Sequence, residues 1–355
     1  MFLRSWATVN LNNLTENLNK LHSFTKKGIF SVVKADAYGH DSGIVSRALQ
    51  DLEFVEKLCV ATPTEGKELR DTGITKDILV LGGLLEGEDE LFLRYNLIPV
   101  ISTYESLYLA KQKGIRKIHL KFDTGMSRLG FFPENLEKLK KVLDSFYVEG
   151  VMSHFPSADT DAEFTNRQIE IFRYIVQELG SPRHIHIQNS AGITFTCDFC
   201  TDVRIGLSMY GEKPTSSFPV ELKGVMSIYA KIISVKDVRK GSRVSYCGTF
   251  QADRDMKVAV VSFGYADGLP RLLSNRGQLL LDGKRARIIG SITMDMTMID
   301  VSDIIRVKVG DEVVIVGESN SEKNTFTEIA KLSKTIPYEI MCGISKRVVR
   351  IPIRG

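Results

Sequence analysis

Short apolar runs alternate with helical stretches between residues 29 and 206. The runs are IFSVVKA, KLCVAT, DILVLGG, LIPVIS, KIHLKFD, VEGVMSHF, HIHIQNS and DVRIGLS. Each is rich in β-branched residues and is followed by a segment of helical periodicity, which is the pattern of parallel strands joined by crossover helices. About eight such units close a barrel, so the pattern predicts an α/β fold, a (β/α)8 TIM-like barrel.

The segment NRQIEIFRYIVQELG shows the helical period clearly. One face of the helix that it predicts carries Ile169, Phe172, Val176 and Leu179. Gly180 occupies the position of a C-terminal cap. The helices of the barrel are therefore readable as well as its strands.

From about residue 225 the pattern changes to strands without long helices. The runs there are VMSIYAKIISVKDV, KVAVVSFGY, ARIIGSITMDMTMIDV, DEVVIVG and KRVVRIPI, separated by Gly, Asp and Asn turns. One short helix is expected in TFTEIAKL, where Thr325 and Glu328 have capping-box spacing. We therefore predict two domains: a barrel over residues 1–224 and a mostly β C-terminal domain over residues 225–355.

The composition narrows the choice of partners. The 355 residues are 43% hydrophobic and 25% charged, and the net charge of +4 is spread along the chain. Without a long basic block or an aromatic-basic platform, nothing points to nucleic acid, and a small-molecule ligand is expected. The N-terminal residues contain no apolar run of signal-peptide or membrane-spanning length, so we expect a cytoplasmic protein with no membrane partner.

The sequence CDFC places Cys197 and Cys200 at the spacing of a redox dithiol or half of a zinc site. A structural zinc site needs a second pair of ligands. The other cysteines are isolated, and the nearest histidines alternate along a strand. We therefore expect no metal.

Polar residues interrupt several of the apolar runs close to their C-terminal ends, which is where barrels of this kind carry their functional groups. Each alone has a structural explanation, because a strand-end Lys or Arg reaches solvent and a lone His is ordinarily a core group. Their coincidence at one rim is less easily explained in that way. In strand order they are Lys34; Lys121, Asp123 and Arg128; His154; Asn189 and Ser190; and Arg204 and Gly206.

The last two of these strands end in the small-polar turns NSAG and IGLS, in the region where barrels often bind phosphate. A lysine in a desolvated cavity has a lowered pKa and becomes a nucleophile toward aldehydes. Together, Lys34 and the phosphate-type turns indicate pyridoxal phosphate as the cofactor.

Eight segments resemble the signatures of alanine racemases, in the same order and over nearly the whole chain. They are VVKADAYGH, HLKFDTGMSRLGF, SHFPSAD, QNSAG, VRIGLSMYG, FGYADGLPR, GSITMDMTMID and IPYEI. The resemblance implies a pyridoxal phosphate barrel followed by a β domain that completes the active site of the other subunit in a homodimer. It also implies interconversion of L-alanine and D-alanine, which supplies D-alanine for peptidoglycan.

The resemblance implies two catalytic bases on opposite sides of the substrate Cα. Lys34 would bond to the cofactor and act as one base, and Tyr265 of the other subunit would be the second. Arg128 would contact the substrate carboxylate and the cofactor's phenolic oxygen. Met294 and Asp295, also from the other subunit, would line the substrate pocket.

Further residues would hold the cofactor. Arg204 would face the pyridine nitrogen, and His154 would hydrogen-bond to Arg204. Lys121 matches a lysine that is carbamylated in many members, where the new carboxylate orients Arg128. The full cofactor-binding set implied is Lys34, Tyr38, His154, Asn189, Ser190, Arg204, Gly206, Leu207 and Tyr338.

The sequence departs from the common family pattern without losing a catalytic group. Asp36 stands where Asn is frequent and Asp41 where Gly is frequent. Ser291 and Thr293 replace a frequent Arg and Cys near the substrate entrance. Those two changes leave turnover and substrate breadth open, whereas Tyr338 implies a small pocket that favours alanine over serine.

Two other readings share part of this pattern. A fold-type III decarboxylase would also carry Lys34 on a barrel, but its pyridine nitrogen would face a carboxylate rather than Arg204, and a tyrosine base in GYADG would not be expected. A non-enzymatic pyridoxal phosphate carrier would consist of the barrel alone, and the C-terminal strands argue against it.

Overall fold

The computed structural model describes residues 3–354, which divide into two compact units. The barrel unit comprises Thr15–Ala37 and Ser42–Leu222. The sheet unit comprises the chain up to Leu14, Tyr38–Asp41 and the chain from Lys223 onward. The predicted fold class is confirmed, because eight parallel strands form the first unit and most of the second is β-sheet.

The strands and helices follow one another in chain order. The strands of the described residues are β1 (Ser5–Asn10), β2 (Gly28–Val32), β3 (Val55–Val60), β4 (Ile78–Val80), β5 (Leu97–Ile101), β6 (Lys117–Lys121), β7 (Tyr147–Met152), β8 (His184–His186), β9 (Asp202–Ile205), β10 (Met226–Val238), β11 (Arg243–Val244), β12 (Phe250–Gln251), β13 (Met256–Val261), β14 (Gln278–Leu281), β15 (Lys284–Arg287), β16 (Thr297–Asp300), β17 (Glu312–Ser319), β18 (Glu322–Asn324) and β19 (Val349–Ile353). The helices are α1 (Leu11–Thr25), α2 (Lys34–Gly39), α3 (Ser42–Leu49), α4 (Pro63–Asp71), α5 (Asp89–Arg94), α6 (Tyr104–Gln112), α7 (Leu136–Lys140), α8 (Ala162–Glu178), α9 (Phe326–Leu332) and α10 (Pro337–Cys342).

The barrel unit contains all eight predicted strands, β2 to β9. They pair in parallel in the order β8-β7-β6-β5-β4-β3-β2-β9. Backbone hydrogen bonds from Thr201 N to Ile185 O (3.0 Å) and from Arg204 N to Gln188 O (2.9 Å) join β9 to the β8 side of the ring. The barrel is therefore nearly closed, and the C-terminal ends of its strands meet at one rim.

The sheet unit is built around the long strand β10. This strand pairs antiparallel with β1, β13 and β17, and β1 also pairs in parallel with β19. Strand β1 was not among the predicted strands, although the alternating burial of Ala7 and Val9 is the two-residue period that marks one. The predicted run ARIIGSITMDMTMIDV is wrong as a single strand, because a loop separates β15 from β16.

The two helices predicted in detail are confirmed, except that Leu179 of the predicted apolar face is the C-cap that follows α8. Helix α8 has Asp161 as its N-cap, buries Phe172 against the barrel unit's core, and is followed by Gly180 in the left-handed region at φ +76°. Helix α9 begins with a reciprocal capping box between Thr325 and Glu328. Within residues 3–354 no helix combines the length and the apolar character needed to cross a bilayer.

Shortening Phe172 tests how much the packing of α8 stabilises the barrel. Phe172 is fully buried, so Phe172→Ala should lower the free energy of unfolding by about 3–5 kcal/mol through lost burial and a residual cavity. Tyr174, on the same helix, is 54% exposed, so Tyr174→Ala should change it by less than about 0.5 kcal/mol. Urea titration of both variants measures the difference, and equal losses would contradict the packing described.

Candidate active site

Four cationic side chains gather at the C-terminal rim of the barrel unit. Lys34 follows β2, Lys121 ends β6, Arg128 lies in the loop after β6, and Arg204 lies in β9. The positive charges of Arg204, Arg128 and Lys34 all act to lower the pKa of the Lys121 ammonium. Such a cluster of cations is a binding place for anionic ligands.

Lys34 lies at the start of a left-handed turn. Ala35, Asp36 and Ala37 have φ of 53°, 54° and 54°, a region that costs about 1–2 kcal/mol for each L-residue other than glycine. The carboxylate of Glu65 stabilises this turn, because its Oε1 accepts from Ala35 N at 2.8 Å. Strained backbone of this kind is typical of functional sites.

The buried Arg204 guanidinium is held by a set of acceptors within the barrel. Its Nη1 donates to His186 Nδ1 (2.8 Å) and to His186 O (2.6 Å). Its Nη2 donates to Ser153 O (2.6 Å), to His154 Nδ1 (2.9 Å) and to Ile187 O (3.2 Å). Burial lowers the pKa of Arg204 to about 10, so the guanidinium stays charged near neutral pH.

One donor of Arg204 is left for a ligand. A guanidinium has five N–H groups, and the four on Nη1 and Nη2 are engaged. No residue within 3–354 accepts a hydrogen bond from its Nε. This donor matches an aromatic ring nitrogen that accepts a hydrogen bond, as pyridoxal phosphate would present.

The His154 imidazole is neutral, as its bond to Arg204 requires. Burial, followed by the positive charge of Arg204, holds its pKa well below the usual range. Its Nδ1 therefore accepts from Arg204, so the hydrogen-bond partner that the resemblance implies for His154 is present in the structure.

Hydroxyl and backbone donors converge where β8 and β9 end. Ser190 Oγ accepts from Gly206 N (3.2 Å) and from Ser208 N (3.4 Å), which leaves its own proton to donate. Among the described residues Ser208 Oγ is buried without a hydrogen-bond partner. Together with the amide of Leu207 in the same turn, these groups fit a phosphate.

Asn189 shapes this turn through bonds to the chain around it. Its Oδ1 accepts from Gly192 N at 2.9 Å, and its Nδ2 donates to Phe155 O at 3.0 Å. Both ends of the amide are therefore occupied by protein groups. In this structure Asn189 acts on the shape of the NSAG turn, which carries Ser190.

Lys121 is buried among other cations. Burial, and then the charges of Arg204 and Arg128, lower its pKa to about 8. In the described chain its Nζ has no hydrogen-bond acceptor, although the charge of the Asp123 carboxylate acts to raise its pKa. A neutral amine among these cations is nucleophilic, and a modification that gave it a negative charge would be stabilised by them.

Asp123 fixes the loop that carries Arg128. Its Oδ1 accepts from Gly125 N (2.9 Å) and Ser127 N (3.1 Å), and its Oδ2 accepts from Arg128 N (3.0 Å). Burial acts to raise the pKa of this carboxyl, but the backbone donors outweigh burial and hold it below its usual range. The loop is therefore ordered by one ionised carboxylate.

A second group of predicted site residues lies in the sheet unit. Tyr265, Met294 and Asp295 line one cavity of about 800 Å³. Backbone hydrogen bonds from Tyr265 N to Thr293 O and from Ala266 N to Met294 O, each 3.0 Å, hold the two loops side by side. Tyr265 is 44% exposed and Met294 is 53% exposed, so this surface is open in the single chain.

The last two predicted residues, Tyr38 and Tyr338, also lie in the sheet unit. Their ring centroids are 5.7 Å apart. The Nε of Arg350 donates to Gly39 O at 2.9 Å and so fixes the chain next to Tyr38. The residues predicted from the sequence thus form one group in the barrel unit and two in the sheet unit.

Sequence reasoning missed several polar residues that support this site. His186 contacts Arg204, and Glu149 is hydrogen-bonded to His119 in the same barrel. The available signal for these three was a polar residue within an apolar strand run rather than after it, whereas Ser208 lies in the IGLS turn that the sequence already indicated without naming its hydroxyl. Within residues 3–354 no cluster of His, Cys, Asp or Glu side chains has the arrangement of a metal site.

Comparisons with known proteins agree with this geometry. The family model described as alanine racemase, N-terminal domain, matches residues 9–214, and the model for the C-terminal domain matches residues 225–352. The alanine racemase of Aquifex pyrophilus is 45% identical over 341 residues, which is 96% of both chains.

Solved structures that superpose on this chain are also alanine racemases. An alanine racemase from Clostridium difficile 630 superposes with a TM-score of 0.92 at 33% identity, covering 100% of this chain and 97% of the other. An alanine racemase from Bartonella henselae, described as having covalently bound pyridoxal phosphate, gives a TM-score of 0.91 at 27% identity, covering 99% and 100%.

Replacing Asp123 tests whether its charge orders the Arg128 loop. In Asp123→Asn the amide can present only one acceptor oxygen, so amide exchange at Gly125, Ser127 or Arg128 should accelerate about tenfold or more. The exposed Asp159→Asn is the matched control. In the wild type, these amides should stay protected from exchange as the pH falls to 3.8, the ordinary pKa of an aspartate, because the pKa of Asp123 in the folded chain is lower. Protection should be lost at lower pH, where Asp123 becomes protonated. Unchanged exchange by NMR would contradict this role.

Proposed function

The chain belongs to the alanine racemase family of isomerases, and from this membership we propose that it interconverts L-alanine and D-alanine by a two-base mechanism with pyridoxal phosphate as its cofactor. The observation that best supports pyridoxal phosphate as the cofactor is the set of groups at the rim of the barrel. Lys34, the Nε donor left on Arg204 and the unpartnered hydroxyl of Ser208 supply an amine, a donor to a ring nitrogen and a phosphate contact. Pyridoxal phosphate, when bound, supplies an aldehyde for amino groups and a ring that withdraws electrons from Cα.

Inversion at Cα needs one base on each face. Lys34 would remove or return the proton on one face, and the phenol of Tyr265 from the partner subunit would do so on the other. Tyr265 is exposed in this chain, with its backbone bonded to Thr293. A proton held at Lys34 Nζ or at Tyr265 Oη would then be available for delivery to Cα.

Arg204 would keep the ring nitrogen unprotonated. A guanidinium donates only, and its pKa of about 10 leaves it charged near neutral pH. With a guanidinium partner the ring would withdraw electrons from Cα less strongly than with a carboxylate partner, so prompt return of the proton would fall to Lys34 or Tyr265. This arrangement favours racemisation over side reactions and argues against the decarboxylase alternative.

Arg128 would bind the substrate carboxylate, with Met294 and Asp295 of the partner subunit lining the pocket. The carboxylate of Asp123 holds the Arg128 loop by three backbone bonds. Carbamylation of Lys121 would replace the repulsion between its ammonium and Arg128 with a charge-assisted pair. Tyr38, Ser190, Leu207 and Tyr338 would contact the phosphate.

We further propose that the enzyme works as a homodimer and supplies D-alanine for peptidoglycan. The sheet-unit cavity supports the dimer, because Tyr265, Met294 and Met296 are 44%, 53% and 41% exposed around it. Apolar and aromatic side chains at this exposure are typical of a surface that a partner covers.

Subunit mixing tests both bases and the shared site. Lys34→Ala should lose the absorbance of the lysine-bound cofactor and the formation of D-alanine, and Tyr265→Ala should keep the absorbance but lose racemisation. Mixing the two inactive variants should restore about a quarter of the activity per subunit, because half of the dimers are hybrids with one intact site each.

Tyr147→Phe, an exposed tyrosine of the barrel unit, is the matched control and should be fully active. Survival of racemisation in Lys34→Ala, or no recovery despite proven subunit exchange, would overturn the shared two-base site. Release of carbon dioxide in place of D-alanine formation would favour the decarboxylase.

Carbon dioxide should modify Lys121. With a pKa of about 8, the neutral amine that reacts with carbon dioxide becomes more abundant as pH rises from 7 to 9. Bicarbonate should therefore raise the Tm and add the mass of one carbamate, and Lys121→Met should abolish both effects and lower racemisation about 10- to 100-fold. A crystal structure with a free ammonium at Lys121 under bicarbonate would refute the modification.

A further inference from the structure

A chain of hydrogen bonds runs from Arg204 into the barrel interior. Arg204 Nη1 lies 2.8 Å from His186 Nδ1, His186 Nε2 lies 2.9 Å from His119 Nδ1, and His119 Nε2 lies 3.2 Å from Glu149 Oε2. Both histidines are fully buried, and Glu149 is 2% exposed. The two imidazoles of this hydrogen-bond chain are therefore shielded from solvent, and its two ends are at most 3% exposed.

The direction of every bond in this chain is fixed by its two ends. Arg204 can only donate, so His186 Nδ1 must accept, and a neutral His186 then carries its proton on Nε2. His119 Nδ1 must therefore accept a hydrogen bond from His186 Nε2–H. The proton of His119 is then on Nε2 and is donated in a hydrogen bond to the Glu149 carboxylate, which can only accept. Burial lowers the pKa of His119 to about 4 and that of His186 well below its usual range, in agreement with two neutral rings.

The far end of the chain is anchored by lysines. Glu149 is paired with Lys57 at 3.0 Å and with Lys117 at 3.0 Å, and Asp77 is paired with the same two lysines. Although burial acts to raise it, these contacts and His119 hold the pKa of Glu149 below its usual range. The carboxylate is therefore ionised and fixed.

The backbone makes room for the His119 ring. A Cβ atom at Gly150 would lie 2.4 Å from both Cε1 and Nδ1 of His119, which is closer than such contacts occur. Only glycine at position 150 allows the ring to lie between His186 and Glu149. The position of the His119 ring thus depends on Gly150 in β7 as well as on His119 itself in β6.

Reversing the tautomer of His186 would place two donors face to face. An Nδ1–H on His186 would oppose the Nη1–H of Arg204, and one buried donor would lose its acceptor. The guanidinium would have to move to relieve that conflict. Its Nε–H, which carries no other bond within the described chain, would move with it.

We propose that His119 and Glu149 are positioning residues for racemisation, because they fix the tautomer of His186 and so hold the Arg204 guanidinium with its Nε–H available to the cofactor. This role rests on the proposed function. Neither residue touches the reacting atoms, and both act through His186.

The neighbouring His184 provides a matched comparison. Its ring stacks on His119 with a centroid distance of 5.9 Å, and its Nδ1 lies 2.9 Å from Asp202 Oδ2. It is buried in the same barrel, but it lies outside the chain that ends at Arg204. His184→Leu and His119→Leu therefore each remove one imidazole from the interior of the barrel. Only His119→Leu interrupts the hydrogen bonds between Arg204 and Glu149.

The test records the nitrogen resonances of histidine in the ¹⁵N-labelled holoenzyme, assigned by single replacements. In the wild type, His186 and His119 should each show an unprotonated Nδ1 and a protonated Nε2 between pH 6 and 9. His119→Leu should change the His186 pattern, and His184→Leu should leave it intact. His119→Gln should restore it, because one amide supplies both an acceptor for His186 and a donor for Glu149.

Kinetics should separate positioning from general stability. His119→Leu should lower kcat for alanine about tenfold with KM changed less than about twofold, since Arg204 contacts the cofactor rather than the substrate, and His119→Gln should recover most of it. His184→Leu should lower the Tm comparably without this loss of kcat.

A protonated ring or an Nδ1–H on His186 in the wild type overturns the proposal, whether or not any variant folds. So does an equal loss of kcat in His119→Leu and His184→Leu. The wild-type resonances do not depend on turnover. Absence of racemisation in the wild type would therefore refute the proposed function separately from the tautomer chain.

Discussion

Burying a guanidinium inside the barrel determines much of what surrounds it. A charge in an apolar interior costs several kcal/mol unless its donors are bonded. Arg204 is 3% exposed, and its acceptors come from Ser153, His154, His186 and Ile187. The interior of a barrel is ordinarily filled with branched apolar side chains, whereas here a line of imidazoles continues to Glu149.

The excess of positive charge at the rim has a direct chemical consequence. Lys34, Arg128 and Arg204 act together on the pKa of Lys121, and the carboxylate of Asp123 is committed to its own loop. Without further anions this arrangement is repulsive. A phosphate, a substrate carboxylate and a lysine carbamate would each add negative charge, so the electrostatics of the rim favour the anionic groups that we propose for it.

The sheet unit relies on backbone pairing where the barrel unit relies on buried charge. The loops of Tyr265 and Met294 are joined main chain to main chain, and Arg347 is paired with Asp267 at 3.3 Å and with Asp295 at 2.9 Å. Those bonds fix the backbone of the loop that carries the exposed phenol of Tyr265. The base that we propose for another subunit would need such support, since its orientation could not depend on the site that it enters.

Local patterns of the chain were enough to predict the eight barrel strands, the apolar face of α8 and the glycine that follows it, the capping box of α9, and the family, because periodicity, capping and signature motifs are local properties. The sequence also identified the residues at the strand ends. Three features appeared only in the folded chain: β1 pairs with β10 and β19, a loop divides β15 from β16, and His119, His186 and Glu149 form a hydrogen-bonded line that ends at Arg204. Those contacts join residues far apart in the chain, so their distances and proton directions depend on how strands pack, which no local pattern records.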